Sequence, residues 1–167
     1  ITYMRTDSTR VAGVAVEQAR SWIAEEMGKQ FVSKVPRYWT GKKQKGAQEA
    51  HEAIRPTDVT IHPTEVYQHL ADDQARLYEV VWLRFVASQM EPAVYDTTTA
   101  DFDVRGKNSA HVYRFRATGS VVKFEGFTRL YLEAAESGDH RRLDDLEPLP
   151  VLDVGDRFSW NGGAGAV

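Results

Sequence analysis

Ile1-Thr2-Tyr3-Met4-Arg5-Thr6-Asp7-Ser8 opens the chain, and the rest of the sequence is organised around it. A tyrosine and an arginine two residues apart suit attack on a phosphodiester. A phenol of ordinary pKa, near ~10, is a poor nucleophile at neutral pH. A neighbouring cation makes it useful by stabilising the phenolate and the charge that develops on the phosphate. In an extended segment residues 3, 5 and 7 share a face, so Tyr3, Arg5 and Asp7 are expected to converge. Asp7 is then expected to hold the Arg5 guanidinium through a paired hydrogen bond. Ser8-Thr9 and an apolar-periodic run follow, which predicts a helix N-terminus just beyond the site, where phosphate binds readily.

A second stretch, Gln48-Glu49-Ala50-His51-Glu52-Ala53-Ile54-Arg55-Pro56-Thr57, carries the other candidate side chains. His51 and Arg55 share a face if the turn is helical, and Pro56 disfavours helix at Arg55. A histidine here can donate to a phosphate oxygen or shuttle a proton near neutral pH. Taken alone, each stretch also fits a surface ion pair or an ordinary hydrogen-bonded histidine.

Together, ITYMRTDS and QEAHEAIRPT resemble the active-site tyrosine and downstream histidine segments of the bacterial type IA DNA topoisomerases. Their order and spacing fit as well, and Met4, Glu52 and Arg55 are closer to the topoisomerase I pattern than to topoisomerase III or reverse gyrase. The resemblance implies Tyr3 as nucleophile, Arg5 and His51 as catalytic partners, and Asp7, Glu52 and Arg55 in support. It implies relaxation of negatively supercoiled DNA through a 5'-phosphotyrosine on a single strand, without a nucleotide cofactor. Magnesium would be held by a toprim domain preceding the tyrosine segment, so no metal site is expected in this chain. Residues 1–92 would belong to the helical domain carrying the nucleophile. Residues 93–160 would be a returning part of a β-rich arch, followed by a linker-like 161–167. The expected partners are DNA and the remaining domains of the same polypeptide, in a cytoplasmic, nucleoid-associated monomer.

The chain has 167 residues, enough for one ordinary domain or two small ones. No apolar run approaches the ~20 residues needed to span a bilayer. The absence of cysteine excludes disulfides and thiolate metal sites. The chain does not begin with Met, which leads us to expect a fragment. Its net charge of -3 does not advertise a nucleic-acid binder, but the charge is segregated. Lys34, Arg37, Lys42, Lys43 and Lys45 fall in an acid-free stretch with Tyr38 and Trp39 among them. Arg37 and the three lysines from 42 to 45 are candidate phosphate contacts, and Tyr38 or Trp39 a candidate base-stacking residue. Residues 132–156 are instead strongly acidic. A non-catalytic DNA-binding module, with Tyr3 merely stacking, is the alternative function.

The expected fold is α+β, a mainly helical part followed by antiparallel β structure. Val11, Ala15, Ala19, Trp22, Ile23 and Met27 recur at helical spacing, with a stop at Gly28. Thr64 is expected to cap a short helix reaching Leu70. Asp72 or Asp73 should cap a longer one to about Met90, with Leu77, Val80, Val81, Phe85 and Val86 as its apolar stripe, widened by Tyr78, Trp82 and Leu83, which suggests burial on more than one side. Strands are expected at 95–104, 111–118 (followed by a turn at Gly119-Ser120), 121–127 and 128–132, and a strand, a turn and a strand start over 151–158. Asp101-Phe102-Asp103 has the spacing of a paired-carboxylate metal site, but a solvent-facing strand is the better account.

Overall fold

A computed structural model describes residues 1–39, 51–106, 110–136 and 149–157 of the chain. Lys42, Lys43, Lys45 and the linker-like 161–167 lie outside the described residues. The helices are α1 (Gly13–Glu26), α2 (Pro63–Val66), α3 (Asp72–Ala87) and α4 (Thr128–Glu136), and a two-stranded sheet joins β1 (Val94–Arg105) to β2 (Val112–Phe124). The chain divides into two compact units, Ile1–Val94 with Phe124–Arg142, and Tyr95–Lys123 with Leu143–Val167. The fold class is α+β, as the sequence predicts.

In the first unit α1 buries Ala15, Val16, Ala19 and Ile23, a single face at helical spacing. It ends at Gly28, whose φ of +105° a side chain rarely adopts. Opposite lies α3, which buries Ala75, Trp82, Phe85 and Val86. Trp82 is wholly buried at the centre. Trp22 meets it edge-on at 4.9 Å, and its indole N–H donates to the Val59 carbonyl at 2.9 Å. Both terms matter, since burial supplies the hydrophobic gain and the hydrogen bond spares the N–H a desolvation penalty.

The apolar stripe of α3 is rotated within the wide expected set, keeping Trp82, Phe85 and Val86 and losing Leu77 and Val80. Leu77 and Val80 are more than half exposed, while Ala75, Tyr78 and Trp82 turn inward. Apolar residues populate both faces here, so periodicity alone does not choose between them. Its N-cap is Ala71 without a side-chain bond; Asp72 and Asp73 sit in the first turn, where they favour the helix dipole. Nor does Thr64 cap α2. His62 is the cap, its ring nitrogen accepting from the Thr64 N–H at 3.3 Å.

The chain after α1 is stitched to the end of α3. Val32 and Met90 form an antiparallel bridge, and Ser33 N–H donates to Gln89 O at 2.9 Å. Gln89, fully buried, accepts from Arg37 N–H and returns an amide hydrogen to Arg37 O at 2.7 Å. Arg37 Nη1 donates to the carbonyls of Ser88 and Met90. These are orphan carbonyls of a helix end, where a cation is favourable. Arg37 thereby anchors its segment to the end of α3.

Residues 128–132 are helical, contrary to the strand expected there. Gly126 turns the chain with φ +52°, and Thr128 Oγ1 donates to Glu125 O at the start of α4. A Cβ at Gly126 would stand 2.4 Å from the Pro92 carbonyl carbon. Leu130 then drops into the core.

In the second unit Thr97 meets Ser120, Thr99 meets Thr118, Asp101 meets Arg116 and Asp103 meets Arg114. Each step forward in β1 is a step back in β2, which is an antiparallel register. β2 runs unbroken through Gly119, so the expected turn and separate strand at 121–127 merge into it. Paired guanidinium bonds from Arg116 and Arg114 hold Asp101 and Asp103 below the usual carboxylate range. In the described part of 151–158 the expected turn is present, with Asp156 accepting from Asp153 N–H at 2.9 Å, and the flanking strands are not.

The rotated stripe makes a direct comparison possible. Trp82→Ala is expected to cost about 3–5 kcal/mol in denaturant unfolding, and Leu77→Ala less than about 1 kcal/mol. Equal losses at the two positions would return Leu77 to the core.

Candidate active site

The two motif segments lie side by side and are laced by backbone bonds. Thr2 does most of this: its N–H donates to Arg55 O at 2.8 Å and its hydroxyl donates to Ala53 O at 2.9 Å. That hydroxyl also accepts from Arg55 N–H at 3.0 Å. Further along, Ala53 N–H donates to Arg10 O at 2.8 Å. Nothing about Thr2 in the sequence marks it, because all its partners are some fifty residues away.

His51 and Arg55 are not in a helix. Arg55 turns back on Glu52 with two bonds, Nε to Oε2 at 3.2 Å and Nη2 to Oε1 at 3.0 Å. The same Glu52 accepts from Ala12 N–H at 3.3 Å. Ala12 is the N-cap of α1, which carries no acid in its own first turn. Glu52 thus brings a carboxylate to that helix end from a distant segment. The helix begins at Gly13, later than Ser8-Thr9 suggests, and its terminus already has this anionic neighbour.

Tyr3 is 75% exposed, which excludes a packing role for its ring. The segment bends rather than extends, with Arg5 N–H donating to Tyr3 O at 2.8 Å. Asp7 still comes back toward Arg5, but as a single ion pair of 3.5 Å at Nε instead of a paired bond. Its Oδ2 is shared with His51 Nδ1 at 3.0 Å. A carboxylate at neutral pH only accepts, so Nδ1 is the donor in this contact. The His51 and Tyr3 rings stand 6.2 Å apart. Tyr3, Arg5, Asp7 and His51 are therefore gathered, and Glu52 and Arg55 brace the segment behind them.

Among the described residues no three His, Asp or Glu side chains are grouped to hold a metal ion, and no helix is long and apolar enough to cross a membrane.

The chain as a whole is similar to known proteins. The family model described as DNA topoisomerase matches residues 1–163, and the chain belongs to that family, in its bacterial type IA branch. A solved structure of full-length topoisomerase I from Thermotoga maritima is 36% identical, with a TM-score of 0.64. The match covers 90% of this chain and 21% of that one, so the chain spans about a fifth of that protein's length.

The bracing role of Glu52 is open to test. Glu52→Ala leaves the Arg55 guanidinium and the Ala12 N–H without their partner. A loss of about 1–3 kcal/mol of unfolding free energy is expected, whereas an unchanged denaturation midpoint would show the bridge to be incidental.

Proposed function

We propose that Tyr3 is the nucleophile of a type IA topoisomerase reaction on single-stranded DNA, within a protein that relaxes negatively supercoiled DNA. The observation that carries this is the shared Asp7 carboxylate, which ties Arg5 and His51 to the segment presenting an exposed Tyr3. A binding-only module would need the exposed ring but gives the Asp7–His51 contact no task.

In the proposed reaction the Tyr3 Oη forms a bond to phosphorus and loses its proton, while the bond to the 3'-oxygen breaks. The departing 3'-oxygen takes up a proton. A 5'-phosphotyrosine stores the bond energy, so the 3'-hydroxyl can reverse the step without a nucleotide cofactor. Asp7 meets Arg5 at Nε, which leaves the terminal nitrogens of the guanidinium fork for the phosphate oxygens. His51, oriented through Nδ1, offers Nε2 near the scissile phosphate. Glu52 and Arg55 act behind them by holding the two segments in register.

Magnesium, in this proposal, belongs to a toprim domain outside this chain, and none of the steps assigned to these residues passes through it. Residues 1–92 serve as helical nucleophile domain and 93–160 as part of the β-rich arch. The 42–45 lysines contact phosphate, and the whole protein is a monomer acting at the nucleoid in the cytoplasm.

In a full-length topoisomerase I carrying this segment, Tyr3→Phe is expected to abolish covalent DNA capture while sparing the fold. An adduct recovered on any other of the seven tyrosines would contradict the assignment. His51→Ala is expected to slow relaxation by the equivalent of about 1–3 kcal/mol, and a mutant with parental turnover would return His51 to a structural role. Arg5→Lys should also be costly, since a point charge cannot reproduce the fork.

The 167-residue chain by itself is expected to form no adduct with labelled single-stranded DNA in magnesium. Positioning of phosphate and nucleophile can supply ~7–11 kcal/mol of a barrier, and the chain alone provides only part of it. Ready, Tyr3-dependent adduct formation would overturn that expectation.

A further inference from the structure

Trp39 is the one non-glycine residue with a positive φ, +49°, among the described residues. For a bulky side chain this is a strained backbone, tolerated only where the surroundings enforce it. The enforcing bonds are visible. Thr9 Oγ1 donates to the Trp39 carbonyl at 2.9 Å, and Val11 N–H donates to the Tyr38 carbonyl at 3.0 Å. On the other side Arg37 is clamped to Gln89 and to the end of α3.

Strain of this kind is normally offset by burial of the side chain, yet the Trp39 ring is 48% exposed and Tyr38 beside it 42%. The Tyr38 ring lies against Gly13, at the start of α1. The fold thus presents a large aromatic face on a fixed backbone without hiding it. Thr9, which holds it, is six residues from Tyr3 along the same segment, a reach of at most about 20 Å. Exposed Arg10 follows Thr9 and supplies a cation next to the platform.

We infer that Trp39 stacks on an unpaired base of the single-stranded DNA that Tyr3 attacks, holding the strand beside the nucleophile. The inference rests on Tyr3 acting on such a strand, and adds the residue that grips its bases. Aromatic stacking suits a site with little sequence preference, because every base offers a π-face. A base inside a duplex has both faces covered, so the platform favours single strands over double.

The test uses the 167-residue chain, a labelled oligothymidylate and a matched duplex, with binding read by anisotropy at low salt. Trp39→Gly removes the ring and also relieves the backbone, since glycine accepts this φ freely. It is expected to weaken single-strand binding about 5- to 150-fold, as for one lost base stack. Duplex binding should hold, and the melting temperature should be equal or higher. Trp39→Phe, made in a Trp160→Phe background, is expected to keep most of the affinity and to lose most of the DNA-induced quenching of tryptophan emission, because Trp82 sits in the core and Trp22 packs against it. Single-strand binding equal to the parent in Trp39→Gly overturns the inference, as does equal loss on single strand and duplex, or no single-strand binding by the unaltered chain. None of these results touches the role of Tyr3, which is read separately by covalent capture.

Discussion

The Thr2 hydroxyl, placed between Ala53 O and Arg55 N–H, is the contact on which the candidate site depends. Two segments with no regular structure of their own lie side by side because their backbone groups answer each other. Without that lacing, Tyr3 and His51 would sit on independent loops, each with its own conformational entropy to lose. With it, one carboxylate can reach Arg5 and His51, side chains on different segments. Each bond has a modest net value, on the order of ~1 kcal/mol, but together they fix geometry, which is what a phosphoryl-transfer site requires.

Behind the lacing stands the helical core, and the two are coupled through α1. Glu52 accepts from Ala12 N–H at the start of α1, while Ile23 and Ala19 further along bury against the core that holds Trp82. The segment from Phe31 to Trp39 closes the other side, pinned to α3 by Gln89 and Arg37 and to the tyrosine segment by Thr9 and Val11. Residues 9–11 thus lie between Ala53 on one flank and Tyr38–Trp39 on the other.

Much of this was legible in the sequence wherever a local signal decides the structure. The 3.6-residue recurrence in α1 and the alternation in β1 come through because each element's burial or pairing follows its own pattern. Leu77 and Val80 misled because α3 is apolar on more than one face, and only the packing partner chooses. Thr128 to Leu132 misled because five residues, Thr-Arg-Leu-Tyr-Leu, are too few for a period to tell a strand from a turn and a half of helix. For the site, the residue types and their two motifs pointed to Tyr3, Arg5, Asp7 and His51 as a group. The sharing of Asp7, the bracing by Thr2 and the strain at Trp39 arise from bonds across long stretches of chain, so no local pattern encodes them.

Hydrogen exchange at the amides of Thr2, Val11, Ala53 and Arg55 is the most direct test of the lacing. Each donates to a partner in another segment. The account predicts exchange far slower than in an unstructured peptide at all four. Thr2→Val, which keeps the shape and removes the hydroxyl, should release Arg55, whose acceptor it was, while Ala53, held by Arg10, and Val11, held by Tyr38, stay slow. Free-peptide rates at Ala53 and Arg55 in the unaltered chain would contradict it, because the two segments would then not be joined.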